Sequence, residues 1–259
     1  MLEMIQQHIR KESFYPTLLG LVSNPAYIIR RGLWKTILMF APRIRGRVLD
    51  FGCGSKPYES LFSGAESYTG VDIKVSGHQH SDSKVDVYYD GRTLPFEDCH
   101  FDAVVSFEVF EHVFNLPEIL DEVCRVTKES GLLLLSVPFA WEEHEIPYDY
   151  ARYTSFAIIH LLSSHGYNII EARKTTTYML AVWQMFIAYL ERVGPTRGIL
   201  RYLFQTVIIC PFTIVGYMLN AILPKTYEYF GNMVVLARKQ ASNTREDQLC
   251  FSTISSDCE

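Results

Sequence analysis

The run RVLDFGCGSKP at residues 47–57 decides the fold prediction. Its first five residues indicate a short buried strand, and Gly52 and Gly54 follow directly. Two glycines after a strand let the backbone turn sharply and approach a ligand closely, because no Cβ intervenes. Pro57 stands where a dinucleotide fingerprint has its third glycine, which weakens a pyrophosphate-binding interpretation. A purely structural turn is the alternative for this loop.

Short apolar runs alternate with helix-like stretches from residue 47 to residue 139, which is typical of parallel βαβ units. We predict strands at 47–51, 68–72, 85–89, 101–107, 131–139, 167–176 and 231–239. We predict helices at 25–39, directly after Pro57, and at 108–114, 116–128 and 154–165. The expected fold class is therefore α/β.

Asp72 ends the second predicted strand, 22 residues after Asp50. In open parallel sheets, a carboxylate at this place is positioned to accept hydrogen bonds from both hydroxyls of a ribose. A helix cap or a turn residue is the alternative. A glycine loop and a distant acid do not by themselves distinguish one nucleotide cofactor from another.

Three further runs carry a family resemblance: DGRTLPFEDCHFD at 90–102, EVFEHV at 108–113 and RVTKESGLLLLSVP at 125–138. With the glycine loop and Asp72, they resemble class I S-adenosylmethionine (SAM) methyltransferases, whose hallmark runs are LDxGCG, GxD, LPF…FD and ExxEHV. The chain departs from that pattern at Lys56, in place of the third loop glycine, and at 129–130, where Glu-Ser replaces Pro-Gly. The resemblance implies an enzyme with a Rossmann-like, seven-stranded, mostly parallel sheet in the order 3-2-1-4-5-7-6, with helices on both faces.

The resemblance also implies that SAM is the cofactor. The positions that would bind it are Asp50, Gly52, Gly54, Asp72, Ile73, Asp90, Phe107 and Glu108. The loop would line the methionine part, Asp72 would hold the ribose, and Ile73 and Asp90 would lie beside the adenine. SAM carries a net positive charge, and residues 48–150 contain six Lys and Arg against twenty Asp and Glu. The acidic segment therefore suits this cofactor and argues against nucleic acid as a partner.

The organisation that we expect has three parts: an N-terminal helical segment at 1–46, a methyltransferase domain at 47–240 and a disordered tail at 241–259. An apolar helical insertion at 178–223 would separate the last two strands of the domain. The six cysteines form no CxxC pair, and the first residues show no apolar signal core. The cysteines and the N-terminus therefore predict free thiols and a cytoplasmic location. The apolar insertion adds an expected membrane association on the cytoplasmic face.

The loop at 144–154, HEIPYDYARYT, follows the fifth strand, at the sheet edge where substrates of open α/β sheets bind. It resembles the HExPYDxxRYT run of methyltransferases associated with cell-surface polysaccharide or lipid-linked sugar pathways. His144 is our candidate general base, because a neutral imidazole can take a hydroxyl proton near pH 7. Tyr150, Arg152 and Tyr153 are candidate substrate residues. The alternative is a loop that docks on the following helix, with Arg152 pairing an acid.

Glu108, Glu111 and His112 have the spacing i, i+3 and i+4, which would place them on one helix face. Such a set, with His144 as a fourth ligand, could bind a divalent metal. Some ubiquinone-pathway and small-RNA O-methyltransferases with a similar run bind one, whereas many other ExxEHV members are not known to need one. We predict no metal requirement, and we take His112 as a second catalytic candidate.

The insertion contains 21 consecutive uncharged residues at 203–223, about 30 Å of helix. A single crossing of a membrane conflicts with the fold, because the last strand must return to the same sheet. The return segment at 178–190 is only about 20 Å long as a helix. We therefore expect an interfacial or re-entrant hairpin bent by Pro211 and Gly216. A buried lid or a homodimer interface would be equally apolar.

The leading hypothesis is a SAM-dependent methyltransferase that acts on a hydroxyl, or another nucleophile, of a small, lipid-linked or sugar acceptor. An NAD-dependent sugar oxidoreductase is one rival, but it would need a tighter glycine loop than GCGSKP. The other rival is a non-catalytic, membrane-attached scaffold. The intact Asp50, Gly52, Gly54 and Asp72 argue against the scaffold.

Overall fold

A computed structural model describes residues 11–74 and 83–241. Apart from residue 241, the tail predicted at 241–259 lies outside the described residues. The strands are β1 Gly46–Phe51, β2 Ala65–Ile73, β3 Val87–Tyr89, β4 Phe101–Phe107, β5 Thr127–Pro138, β6 Tyr167–Lys174 and β7 Asn232–Lys239. They form one sheet in the order β3-β2-β1-β4-β5-β7-β6. This order confirms the predicted fold class.

The helices are α1 Gly20–Ser23, α2 Tyr27–Phe40, α3 Leu116–Val126, α4 Ser155–Ser164, α5 Tyr178–Val193, α6 Gly198–Phe204 and α7 Cys210–Ile222. A π-helical turn at Gln205–Ile209 joins α6 to α7. Helix α4 begins where sequence rules expect, because the Thr154 hydroxyl accepts a hydrogen bond from the backbone N–H of Ala157 at 3.1 Å. Gly166, just beyond α4, has a φ of 84°, a left-handed backbone that glycine adopts without strain.

Two of the predicted helices are wrong. The segment after Pro57 forms only a 3-10 turn at Glu59–Leu61, and the segment at 108–114 forms a 3-10 turn at Phe110–His112. Glu108 has a φ of 56°, and a left-handed residue cannot belong to a right-handed helix. Glu108, Glu111 and His112 therefore do not share a helix face.

The register of the parallel strands brings the loops of the predicted site to one edge of the sheet. β1 pairs with β2 and with β4, so that Asp50 lies opposite both Gly70 and Val105. β4 pairs with β5, which places Phe107 opposite Ser136. Since parallel strands end at the same edge, the loops after β1, β2 and β4 meet there.

The strand interiors are almost continuously buried, as expected for a parallel sheet that is covered on both faces. Val48, Leu49, Val104 and Leu134 are fully buried. The chain folds into two compact units. Of the described residues, one unit comprises 40–74, 83–137, 143–172 and 235–241. The other, which we call the helical unit, comprises 11–39, 138–142 and 173–234.

The helical unit has its own apolar core. Ile28 of α2 packs with Leu180 and Ile187 of α5 and with Ile209. The backbone N–H of Ile28 also donates to the amide oxygen of Gln184 at 3.2 Å. The N-terminal helix and the insertion thus share one core, an association that the sequence did not predict.

The insertion is helical, as expected, but Pro211 and Gly216 do not bend it into a hairpin. Gly198–Ile222 forms one helix of 25 residues, and the chain reverses before it, between α5 and α6. Pro211 lies in the first turn of α7, directly after the π-turn. Gly216 is required for packing, because a Cβ at that position would overlap the ring of Trp183.

Among the described residues, Gly198–Ile222 is the one helix long and apolar enough to cross a membrane, with a mean hydropathy of 1.7. Length and composition alone are weak evidence for a span, since core helices of soluble proteins can have both. Only 22% of its most apolar window is buried.

Candidate functional site

The glycine loop after β1 folds as its sequence predicts. Gly52 has a φ of 71° and Gly54 a φ of 48°, both in the region that favours glycine. A Cβ at Gly52 would overlap the side chain of Val109, whereas a Cβ at Gly54 would meet no atom of the described residues within 4 Å. The loop is therefore packed against the protein at Gly52 and open to a ligand at Gly54.

Asp72 stabilises this loop directly. Its Oδ2 accepts a hydrogen bond from the backbone N–H of Gly54 at 2.9 Å, and its Oδ1 accepts one from the N–H of Ile73 at 2.8 Å. Each carboxylate oxygen has a further lone pair that could accept from a ribose hydroxyl. The structure thus unites Gly54, Asp72 and Ile73, three of the predicted cofactor positions.

Asp50 lies beneath the loop and is 4% exposed. The Tyr68 hydroxyl donates to its Oδ2 at 2.8 Å. Burial raises the pKa of Asp50 to about 7, although the Tyr68 hydrogen bond and the charge of Lys56 oppose the shift. Sequence analysis did not identify Tyr68, since a tyrosine early in a strand has the pattern of an ordinary core residue.

Lys56 and Ser130, which lie at the departures from the family pattern, both have left-handed backbones. The φ of Lys56 is 51° and that of Ser130 is 61°, and the family pattern has glycine at both positions. The buried Lys56 ammonium also pairs with Asp86, which accepts a second hydrogen bond from the backbone N–H of Gly70 at 2.6 Å. Both departures therefore put a non-glycine residue at a left-handed position.

The remaining predicted cofactor residues lie on neighbouring segments. The Asp90 Oδ1 accepts hydrogen bonds from the N–H groups of Arg92 and Thr93, both at 2.8 Å, and these lower the pKa of the exposed carboxyl. Phe107 stacks on Phe62, with ring centroids 6.1 Å apart. Glu108 follows Phe107 at the end of β4.

Glu108 is held by β5. The Ser136 hydroxyl donates to its Oε1 at 2.7 Å, and the Glu108 N–H donates to the backbone oxygen of Ser136 at 3.1 Å. These contacts account for the left-handed turn, because they fix the backbone and the side chain of one residue against the next strand.

A second group of side chains gathers around the 3-10 turn after β4. The ligand-type atoms of Glu111, His112 and His144 all lie within 4.8 Å of one another. The imidazole rings of His112 and His144 meet edge to face, with centroids 4.8 Å apart. Three of the four residues considered as metal ligands are therefore brought together, and Glu108 is not in this group.

Glu111 is fully buried. Within the described residues, neither of its carboxyl oxygens has a hydrogen-bond partner, nor has the Nε2 of His112. Burial, followed by the charge of Glu108, raises the pKa of Glu111 well above its usual range. A protonated, neutral Glu111 would be less costly to bury here than a carboxylate. The Glu111 oxygens and the His112 Nε2 are also atoms of the kind that bind a divalent cation.

Asp149 orients His144 and Arg152. It accepts hydrogen bonds from the Arg152 guanidinium at 2.5 and 2.7 Å and from the backbone N–H of His144 at 2.9 Å. The Nδ1 of His144 lies 3.3 Å from its Oδ2. The Arg152 hydrogen bonds lower the pKa of Asp149 to about 2. Arg152 thus pairs an acid, and sequence analysis missed Asp149 although it lies within the quoted run.

Tyr150 and Tyr153 lie in the same loop. Tyr150 is 47% exposed, and its ring meets Phe114 edge to face at 5.3 Å. Tyr153 is half-buried, and burial, followed by the charge of Glu111, raises its pKa. The N–H groups of Tyr150 and Ala151 donate to the backbone oxygen of Glu111 at 2.9 and 3.2 Å, so the loop docks on the turn that follows β4.

An open α/β sheet with a glycine loop after its first strand and an acid at the end of its second defines a nucleotide-cofactor protein of the Rossmann-like class. Residues 27–171 match a family model described as a methyltransferase domain. This match covers more than half of the chain, and the chain belongs to that family. The resemblance drawn from the motifs is thereby confirmed.

The chain is also similar to curated proteins over parts of its length. The chain is 35% identical over 104 residues to a Mycobacterium tuberculosis protein named "Probable S-adenosylmethionine-dependent methyltransferase", which covers 38% of each chain. It is 31% identical over 127 residues to the malonyl-[acyl-carrier protein] O-methyltransferase of Erwinia pyrifoliae, covering 44% of this chain and 48% of the relative. It is 30% identical over 131 residues to the fatty-acid O-methyltransferase of Mycolicibacterium smegmatis, covering 47% of each. The matches thus span less than half the length of these relatives.

A solved structure supports the fold. The chain resembles an S-adenosylmethionine-dependent methyltransferase from Mesorhizobium loti with a TM-score of 0.51 and 14% identity, over 82% of this chain and 100% of the other. At this identity the likeness concerns the fold alone.

Proposed function

We propose that the protein transfers a methyl group from SAM to a hydroxyl, or another nucleophile, of an amphipathic or lipid-linked acceptor. The observation that carries the proposal is the open glycine loop hydrogen-bonded by Asp72 at the edge of the sheet, in a chain of the methyltransferase domain family. Bound SAM would supply an activated methyl sulfonium. The contribution of the chain would be to hold the donor and acceptor in line.

His144 is the proposed base for the acceptor proton. Its Nδ1 lies 3.3 Å from Asp149 Oδ2 and 3.4 Å from Arg152 Nη2, so it could donate to the carboxylate or accept from the guanidinium. The proposed role needs the tautomer in which Nδ1 carries the proton and donates to Asp149. The Nε2 would then accept the proton of the acceptor hydroxyl. His112 contacts the His144 ring, and the Nδ1–H of His112 is held by the backbone oxygen of Tyr148 at 2.7 Å, which suits a positioning role.

The acceptor class is proposed from two observations. Two of the similar proteins are named a fatty-acid O-methyltransferase and a malonyl-[acyl-carrier protein] O-methyltransferase. The insertion also exposes large apolar side chains along both of its arms, including Tyr189, Val193, Leu200, Met218 and Ile222. We propose that this surface makes peripheral contact with the cytoplasmic face of a membrane. A lid or a homodimer interface is the competing occupant.

Calorimetry with SAM and with NAD tests the cofactor proposal. We expect SAM to bind and NAD not to bind, and tight binding of NAD alone would favour the oxidoreductase. Transfer of a radiolabelled methyl group from SAM to lipid extracts then tests activity. SAM binding without transfer to any extract would favour the scaffold.

Substitution of His144 tests the base. His144→Ala should lower kcat by about 10²–10⁴-fold while SAM affinity stays unchanged. The control is His160→Ala, on α4 and outside the loop. Equal kcat values for the two variants would show that His144 is not the base.

Liposome sedimentation tests membrane contact. Deleting the insertion would strip Ile28 of its core partners, so we prefer glutamate substitutions at the exposed Leu200, Met218 and Ile222. The triple variant should no longer sediment with the liposomes. The matched control is Phe156→Glu, at an 85% exposed residue of the other unit. If wild-type protein does not sediment with liposomes, membrane contact is refuted. A dimer that persists in detergent would instead favour an oligomer interface.

A further inference from the structure

Lys56 connects the glycine loop to the two strands beside it. The residue ends the loop, and its side chain is only 6% exposed. A buried ammonium is unfavourable unless it is paired, and that of Lys56 pairs with the carboxylate of Asp86, the residue before β3. The Lys56 Nζ also lies 5.8 Å from the centroid of the Tyr68 ring on β2. The side chain therefore reaches from the end of β1 across β2 to the start of β3.

Gly70 of β2 makes room for this side chain. It lies opposite Asp50 of β1 in the parallel register. A Cβ at Gly70 would come within 2.5 Å of the Lys56 Cε and 2.6 Å of the Cys53 Sγ. A glycine inside a strand often marks a close approach of another segment, and here the approaching group is the Lys56 side chain.

Asp86 is held in place by the same strand. Its backbone N–H donates to the carbonyl oxygen of Gly70 at 3.0 Å, and its Oδ2 accepts from the N–H of Gly70 at 2.6 Å. The Asp86 side chain is 47% exposed, so the pair joins a buried ammonium to a carboxylate near the surface. The backbone of β2 thus sets the position of the partner that Lys56 needs.

The segment that contains Asp86 also contacts Gly54. The N–H of Lys84 donates to the carbonyl oxygen of Gly54 at 2.9 Å, and the N–H of Gly54 donates to Asp72, also at 2.9 Å. Both backbone polar groups of Gly54 are therefore bound from outside the loop. Since the loop is open to a ligand at Gly54, its shape there depends on where residues 84–86 lie.

We propose that Lys56 and Asp86 are positioning residues for SAM, because their ion pair holds residues 84–86 against the glycine loop and keeps Gly54 in the conformation that accepts the cofactor. Neither residue is assigned a contact with SAM itself. The inference rests on the proposed function for its cofactor and is independent of the acceptor.

Calorimetry with SAM tests the inference on the full chain. Lys56→Met keeps a long, flexible side chain above Gly70 and removes the positive charge, and Asp86→Asn removes the negative charge. Each should weaken SAM binding about tenfold, and the double variant should lose little more than either single variant, because two residues that act as one pair are not additive. Additive losses, about a hundredfold in the double variant, would overturn the pair.

Lys84→Met is the matched control. It removes the same charge two residues from Asp86, on an exposed residue whose contact with Gly54 is made by its backbone N–H. Because an exposed charge contributes little, SAM affinity should stay within about twofold of wild type. A loss as large as that of Lys56→Met would assign the effect to net charge near the cofactor and would overturn the positioning role.

A second ligand distinguishes positioning from a general loss of structure. Methylthioadenosine contains the nucleoside of SAM but lacks the amino-acid part that the glycine loop is expected to line. Asp72 retains its hydrogen bond from the N–H of Ile73, so the Lys56→Met and Asp86→Asn variants should bind methylthioadenosine almost as tightly as wild type. Equal losses for SAM and for methylthioadenosine would overturn the inference.

Urea denaturation shows whether each variant is folded. If Lys56→Met does not fold, Asp86→Asn decides, because it changes a half-exposed side chain. Unchanged SAM affinity in folded Asp86→Asn refutes this inference and leaves the proposed function in place. Wild-type protein that does not bind SAM refutes the proposed function, and this inference with it.

Discussion

Replacing Asp50 with asparagine should change how stability depends on pH. Burial raises the pKa of Asp50 to about 7 in the folded chain, whereas an aspartate in an unfolded chain titrates near about 4. Between these values the folded protein retains the proton that the unfolded chain has lost. Wild-type stability should therefore fall as the pH rises through this window, by about 1.4 kcal/mol per pH unit from this residue alone. Above about pH 7 Asp50 is ionised in both states, and its effect on stability no longer changes with pH.

The magnitude follows from the shift. About three pKa units correspond to about 4 kcal/mol in total, of which about 2–3 kcal/mol develops between pH 5 and pH 8. Asp50→Asn keeps an oxygen to accept from Tyr68 but cannot ionise. Between pH 5 and pH 8, the unfolding free energy of the variant should therefore rise relative to that of wild type by about 2–3 kcal/mol.

Urea denaturation at pH 5, 6, 7 and 8 measures the difference, and other titrating groups cancel between the two proteins. Asp102→Asn is the control. Burial raises the pKa of Asp102, but hydrogen bonds from Lys128 and from the backbone N–H of Arg47 outweigh burial and lower it. Its titration lies below the window, so its difference should be flat. A flat difference for Asp50→Asn as well would show that the Asp50 carboxylate ionises without penalty, and would refute the reasoning.

Three further predictions concern the cofactor, a metal and the backbone. Asp72→Ala should weaken SAM binding by about 1.5–3 kcal/mol and loosen the Gly54 turn, whereas Asp72→Asn, which keeps an acceptor, should lose less; unchanged calorimetric affinity in a folded alanine variant would contradict the ribose assignment. Methyl transfer should survive chelation, because the sulfonium is already activated; loss with chelator and recovery with magnesium would make the Glu111 group a metal site. Ser130→Gly should raise the unfolding free energy by about 1 kcal/mol by relieving a left-handed backbone, and Ser130→Ala, which retains the strain, should not.

The sheet could be predicted because its central strands contain short apolar runs between recognisable turns. VL at 48–49 and LLLL at 132–135 show no helical spacing of polar residues, and the glycines at 52 and 54 fix where the first strand ends. The strand order came from the family resemblance, since register and neighbours depend on contacts between distant segments.

The segment at 108–114 could not be predicted correctly from its own residues. EVFEHVF has acids and apolar residues at helical spacing, which favours a helix by pattern alone. Its backbone is set instead by Ser136, 28 residues away, which binds both the N–H and the carboxylate of Glu108. The Asp149 pair with Arg152 shows the opposite case: it is local, at i and i+3, and a search for acids near Arg152 would have found it.

Three of the five described non-glycine residues with left-handed backbones lie in loops at the candidate site. Lys56, Glu108 and Glu145 have φ of 51°, 56° and 52°, a conformation that costs about 1–2 kcal/mol per residue. Lys56 ends the glycine loop, Glu108 turns the chain out of β4, and Glu145 follows His144. Such strain persists only where the surroundings over-determine the backbone, as Asp86 does for Lys56 and Ser136 does for Glu108. All three lie in loops that we assign to cofactor or acceptor, so relaxing them should cost binding before it costs the fold.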